Sequence, residues 1–206
     1  MKERTVQGRS SLLVAACAVL ALAGAVTVSI TEGGDWQEGL ALWLTRGTGW
    51  CALGALMLAL SATPAGRIAR GLRAPPVFTR RVAAMRRAFG ITAAGLALLH
   101  AGIALGGYLD GSWQAVISWP YLRAGLSALL ILVPLLLTSF PALVRRLRVR
   151  LWKPLHRLAY VAALLALEHV LLSPFAPRAL TLTLFAALLV LTLGRFVPAR
   201  AAAPNA

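Results

Sequence analysis

Apolar residues in this chain run in long blocks, not in the one-sided stripe of a surface helix, and short polar stretches separate the blocks. Six blocks, 11–30, 48–64, 88–109, 122–140, 155–172 and 178–197, are long enough, or nearly so, to cross a hydrocarbon layer of about 30 Å at about 1.5 Å per residue. A helix that is apolar all round needs apolar surroundings all round. The pattern predicts an all-α integral membrane fold, a six-helix transmembrane bundle. Residues 1–10 form its cytoplasmic N-terminus, 11–197 its transmembrane domain and 198–206 a flexible Ala- and Pro-rich tail. The first block follows Lys2, Arg4 and Arg9 and contains Ala21-Leu22-Ala23, as a signal peptide would. Its apolar run is longer than a typical h-region, so it is read as a retained helix.

Composition agrees with the blocks. The chain is 59% hydrophobic and 13% charged over 206 residues, with a mean hydropathy of +0.78, values outside the range of soluble domains of this size. The net charge of +15 would suggest a nucleic-acid partner in a soluble protein. Here the cations cluster in short loops. Arg67, Arg70, Arg73, Arg80, Arg81, Arg86 and Arg87 fill one connector, and Arg145, Arg146, Arg148, Arg150, Lys153 and Arg157 another. That is the distribution of topology determinants, so the partner is the lipid bilayer and not nucleic acid. Both connectors are placed in the cytoplasm. Glu32, Asp35, Glu38, Asp110 and the turn 173–177 lie on the other side, which gives an N-in/C-in arrangement.

Chemistry narrows next by absence of motifs. Cys17 and Cys51 have no partner at metal-ligand spacing, and no Cys-x-x-Cys-His occurs, so neither a disulfide framework nor a covalent c-type haem is expected. The sequence contains no Gly-rich dinucleotide fingerprint and no P-loop. Any redox role is expected to exchange electrons with other molecules at the two membrane faces.

The informative residues are His100, His156 and His169, each within or beside an apolar block. An imidazole in hydrocarbon is costly and marks a functional site or a hydrogen-bonded packing position. His100 lies 13 residues after Arg87, about 20 Å in, and His169 lies 16 residues after Lys153, about 24 Å in. The two run in parallel helices and reach nearly the same outer depth, as two axial ligands of one haem iron would. His156 stays near the inner face. Arg86 precedes His100 by 14 residues and shares its helix face to within about 40°. It is a candidate for an inner haem's propionates or axial position, or an inner-boundary anchor. On a straight helix His156 and His169 point about 140° apart, so a shared face would require a bend or π-bulge.

Several short motifs fall in order along residues 45–175: Thr48-Gly49, Ala62-Thr63-Pro64, Arg86-Arg87 with Gly90, Leu99-His100, Trp119-Pro120-Tyr121, Thr138-Ser139, and Trp152 with Leu155-His156-Arg157-Leu158 and Tyr160 before His169. In this the chain resembles the ferric-reductase-like transmembrane domain family, and within it the haem-binding membrane subunits of bacterial periplasmic methionine-sulfoxide reductase systems. Trp119 stands where that family commonly has Arg. The resemblance implies that His100 and His169 ligate one b-type haem and that His156, with Arg86, serves a second or shared site, giving one or two haems. It also implies reduction by a cytosolic flavin reductase or reduced flavin, with FMN a candidate at the cytoplasmic face. Electrons would pass to a periplasmic molybdenum-cofactor reductase. The chain would be an electron-transfer subunit of an oxidoreductase system, not a self-contained enzyme. Two alternatives stay open at this point: a ferric- or quinone-reductase-type cytochrome b, and a haem-free transporter whose histidines handle protons or a metal.

Overall fold

A computed structural model describes residues 36–72, 75–140, 143 and 149–193. The block expected at 11–30, both termini and much of the second arginine connector lie outside the described residues. Among those residues every regular element is helical: α1 (Trp36–Gly71), α2 (Pro76–Ile103), a π-helical turn (Ala104–Tyr108), α3 (Trp113–Ser118), α4 (Pro120–Leu137), α5 (Val149–Leu172) and α6 (Arg178–Leu193). Four stretches, Gly39–Ala69, Arg80–Gly107, Pro120–Leu137 and Leu151–Leu172, are long and apolar enough to cross a membrane; α6 is a shorter apolar helix.

The helix ends depart from the hydropathy blocks in instructive ways. α1 begins twelve residues before the expected 48 and runs through Pro64 to Gly71. In an apolar medium an unpaired peptide group costs several kcal/mol, so the helix continues through a proline that would end it in water. Leu40, Ala41 and Leu44 keep the helical spacing through the polar residues that hid this turn. Prolines start two other helices: Pro76 follows Pro75 at the head of α2, and Pro120 is the first residue of α4, positions where a missing N–H costs nothing. The single helix expected at 88–109 leaves α geometry after Ile103. Leu109 N–H donates to Ala104 O at 2.8 Å, a five-residue step, before Asp110 (φ 48°) and Gly111 (φ 73°) turn the chain. α3, which hydropathy gives only as connector, starts where the Ser112 hydroxyl accepts the Ala115 N–H.

Two antiparallel hairpins, α1–α2 and α4–α5, pack together, and α6 leans on α5 and α1. The core joins Leu53, Leu56 and Leu60 of α1 to Ala93 and Ala94 of α2, Leu132 of α4, and Ala162, Ala163 and Leu167 of α5. Alanine inside lets helices approach closely, which is how helices associate where the solvent is as apolar as leucine. The large side chains point the other way: Leu58, Leu130, Leu164, Leu189 and Val190 are all at least half exposed. An apolar exterior of this extent is stable against lipid and not against water. Hydroxyls turn back onto their own helices, as Thr48 does to Leu44 O (2.6 Å) and Thr192 to Leu188 O (2.8 Å). The chain is a multi-pass membrane protein.

The interior and exterior faces should respond oppositely to size. Ala162→Leu, at a position with 0% exposure, is expected to overpack the core around α5 and lose about 1–3 kcal/mol. Leu164→Ala, at 50% exposure, should leave the thermal midpoint of the detergent-solubilised protein nearly unchanged. Circular dichroism melts check both, and equal shifts would show that the two faces are misassigned.

Candidate functional site

His100 near the end of α2 and His169 near the end of α5 meet between the hairpins, with ring centres 6.0 Å apart and planes at 77°. Each ring is held by the same device. His100 Nδ1 lies 2.7 Å from Thr45 O and His169 Nδ1 lies 2.7 Å from Tyr121 O. A carbonyl oxygen can only accept, so each Nδ1 carries the proton and each Nε2 keeps its lone pair. Four residues after each carbonyl stands a glycine against the ring. A Cβ at Gly49 would come 2.9 Å from His100 Nδ1, and one at Gly125 would come 2.8 Å from His169 Nδ1. Glycine is required there because any side chain would push the imidazole off its carbonyl. Tyr121 also stacks on His169 at 5.8 Å.

Both rings line a cavity of about 270 Å³ whose walls are mainly apolar, among them Trp50, Leu53, Leu126, Leu129 and Val170. Among the described residues no group of three or more His, Cys, Asp or Glu comes together to hold a bare metal ion. Two neutral imidazoles in an apolar cleft therefore suit a metal that brings its own remaining ligands. If both imidazoles were to hold one metal at about 2 Å each, their ring centres would stand about 6 Å apart. The observed separation meets that requirement.

The inner histidine is placed elsewhere. His156 is not among the cavity's lining residues; its Nε2 is 3.3 Å from Thr138 Oγ1, and its ring lies 4.3 Å from that of Trp152. Thr138's hydroxyl already gives its proton to Pro134 O at 2.7 Å, so it accepts from His156 Nε2–H. His156 thus holds the opposite tautomer from the other two. α5 is a continuous α-helix without a π-bulge, so His156 and His169 serve different sides of it. Arg86 is exposed and close enough to His156 to act on it electrostatically; it does not line the cavity. Its neighbour Arg87 bonds to Ser139 O, and Trp152 Nε1 to Thr138 O, tying α2 and α5 to the end of α4.

The sequence reading missed three contributors: Thr45, Tyr121 as the carbonyl acceptor for His169, and Arg46, which lines the cavity and places its guanidinium carbon 4.9 Å from the Phe175 ring centre. The equal Thr45–Gly49 and Tyr121–Gly125 spacings were the available signal.

With this geometry in place, residues 48–167 match the family described as the ferric reductase like transmembrane component, and the chain belongs to that family. It is similar to proteins named protein-methionine-sulfoxide reductase heme-binding subunit MsrQ. The one from Rhodospirillum rubrum is 37% identical over 97% of this chain and 92% of its own length. The one from Deinococcus radiodurans is 42% identical over 61% of this chain, a match spanning 59% of that relative. The one from Xanthomonas euvesicatoria pv. vesicatoria is 34% identical over 75% of this chain and 70% of its own length.

Nitrogen-15 spectra of histidine-labelled protein should show Nδ1–H tautomers for His100 and His169 and the Nε2–H tautomer for His156. Gly49→Ala should move the His100 signals and Gly125→Ala those of His169, each with a loss of about 1–3 kcal/mol of stability from overpacking. Variants whose imidazole signals stay in place would show that the glycines are not what seats the rings.

Proposed function

We propose that this chain is a haem-binding electron-transfer subunit of a bacterial inner-membrane methionine-sulfoxide reductase system, with one b-type haem between His100 and His169. The observation that carries this reading is the pair of Nδ1-anchored imidazoles 6.0 Å apart across an apolar cavity. When bound, haem supplies one-electron chemistry at its iron, at a potential set by its axial ligands and the polarity around them. The chain's part is to present two Nε2 lone pairs, fix both tautomers through helix carbonyls and keep water from the ligating nitrogens. A proton relay is less well served, because both Nδ1–H groups end on backbone carbonyls.

The arginine-rich end of the bundle, with Arg67, Arg80, Arg81 and Arg157, faces the cytoplasm by the positive-inside rule, and the histidine pair lies toward the periplasm. α6 then ends inside, in keeping with an N-in/C-in bundle of six helices. Electrons enter at the arginine-rich face from a cytosolic flavin reductase or reduced flavin, with FMN a candidate there, and leave toward a periplasmic molybdenum-cofactor reductase. His156 and Arg86 belong to the entry side.

His100→Ala and His169→Ala are each expected to lose most of the bound haem, or to turn a low-spin spectrum into a high-spin one, in protein purified after haem-sufficient expression. His156→Ala should keep the wild-type Soret band. Wild-type haem content and spin state in both His100→Ala and His169→Ala would sink the ligand assignment.

Docking by charge gives a separate expectation. NADPH alone should reduce the bound haem slowly, and adding a flavin reductase with FMN should accelerate reduction at least tenfold. That acceleration should fade as salt rises past about 0.1 M, where the screening length is about 10 Å. Stopped-flow absorbance measures it, and salt-independent rates would remove the electrostatic entry surface.

A further inference from the structure

Arg46 is an unusual lining residue. The cavity walls include no Asp or Glu among the described residues, and Arg46 is the one side chain there with a permanent charge. Arg123 and Arg178, near the same end of the bundle, are exposed and do not line it. The Arg46 Nε is buried with no hydrogen-bond partner, and so is Oγ1 of neighbouring Thr45, a residue only 8% exposed. Two adjacent residues on one wall thus each hold back a polar atom, and leaving such atoms unpaired is costly.

The guanidinium is also positioned. Its carbon sits 4.9 Å from the centre of Phe175, in the turn between α5 and α6 that follows His169. Stacking on a ring face fixes the plane and leaves the in-plane N–H groups available as a fork for a carboxylate. Thr45, one residue earlier, supplies the carbonyl that anchors His100, so the fork and one ligating ring are set by consecutive residues of α1. A cation half-buried in an apolar cleft needs an anion, and the lining offers none, so the anion has to arrive with the ligand.

We propose that Arg46, assisted by the Thr45 hydroxyl, is an anion subsite of the histidine-pair cavity that takes the carboxylates of the bound ligand, the haem propionates. This rests on the haem reading above and adds to it a direction: the propionate edge of the macrocycle lies against α1 and the α5–α6 turn.

Full-length apoprotein in lipid nanodiscs, titrated with haemin and with haemin dimethyl ester, tests it through Soret absorbance, because the ester keeps the iron and ring but removes both carboxylates. Wild-type protein should bind haemin about ten- to a hundredfold more tightly than the ester. Arg46→Gln should lose that preference while both complexes stay low-spin, and Arg46→Lys, which keeps the charge without the fork, should retain part of it. If Arg46→Gln does not accumulate as a monodisperse protein, Arg46→Lys and Thr45→Val carry the same comparison, each with a preference below wild type. Equal weakening of haemin and ester, or an unchanged preference in the variants, would overturn the subsite and leave the histidine assignment standing. Failure of wild-type protein to form a low-spin complex with either porphyrin would overturn the haem reading, and the subsite with it.

Discussion

The bond from each imidazole Nδ1 to a helix carbonyl is the constraint on which the rest of the site depends. A carbonyl inside a helix is already committed to the N–H four residues on, and here that N–H belongs to Gly49 in one case and Gly125 in the other. The missing Cβ opens a notch beside the carbonyl just deep enough for an imidazole edge. Because the notch recurs in α1 and in α4, the hairpins α1–α2 and α4–α5 present their histidines to one another in matching fashion. The symmetry lies in backbone acceptors and absent side chains, so it cannot be seen by comparing the two hairpins for similar residues. It gives two lone pairs of equal standing facing a common space, a more specific arrangement than two histidines at equal depth.

Membrane burial makes this clip firm. In water a carbonyl shared between an amide and an imidazole would compete with solvent for both donors. In an apolar interior there is no competitor, and an imidazole without its acceptor would be left unsatisfied. The alanine-lined contacts of Ala93, Ala94, Ala162 and Ala163 bring the backbones near enough for a side chain of one helix to reach the main chain of the next. Small residues at the interfaces and polar reach across them are thus one design: bulkier cores would hold the two helices of a hairpin too far apart for His100 to touch α1.

Hydropathy was sufficient for the fold class and for the existence of the five long helices, though not of short α3, because a helix apolar on every side has few other interpretations. It was a poor guide to helix ends, where Pro64 and the Glu38–Gly47 stretch interrupt the pattern without interrupting α1. That error mattered, since Thr45 and Arg46 were thereby assigned to a loop. Depth counting placed His100 and His169 at one level, and the structure brings them together. The face argument that put Arg86 beneath His100 did not anticipate where Arg86 stands: helix phase gives the direction of a side chain from its own axis but not the neighbour that direction meets. The notches were illegible for a different reason. A glycine in an apolar helix reads as one more small residue, and its meaning lies in the side chain of another helix.

The two ends of the bundle also use histidine differently. At the cavity end both rings give Nδ1–H to rigid main-chain acceptors and leave Nε2 as the unprotonated nitrogen. At the arginine-rich end His156 meets Thr138 through that residue's main-chain carbonyl and through its hydroxyl, itself a donor to Pro134 O, and its ring rests on Trp152. A main-chain acceptor cannot turn away, whereas a threonine hydroxyl can exchange partners by one bond rotation. The cavity pair is therefore held by fixed acceptors, while His156 has one fixed and one rotatable partner in Thr138. If the chain accepts electrons at one face and holds them at the other, as proposed, fixed ring orientations at the holding end and a partly rotatable one at the entry end would follow from the same rule. Fixed acceptors set a tautomer, and rotatable ones let it respond.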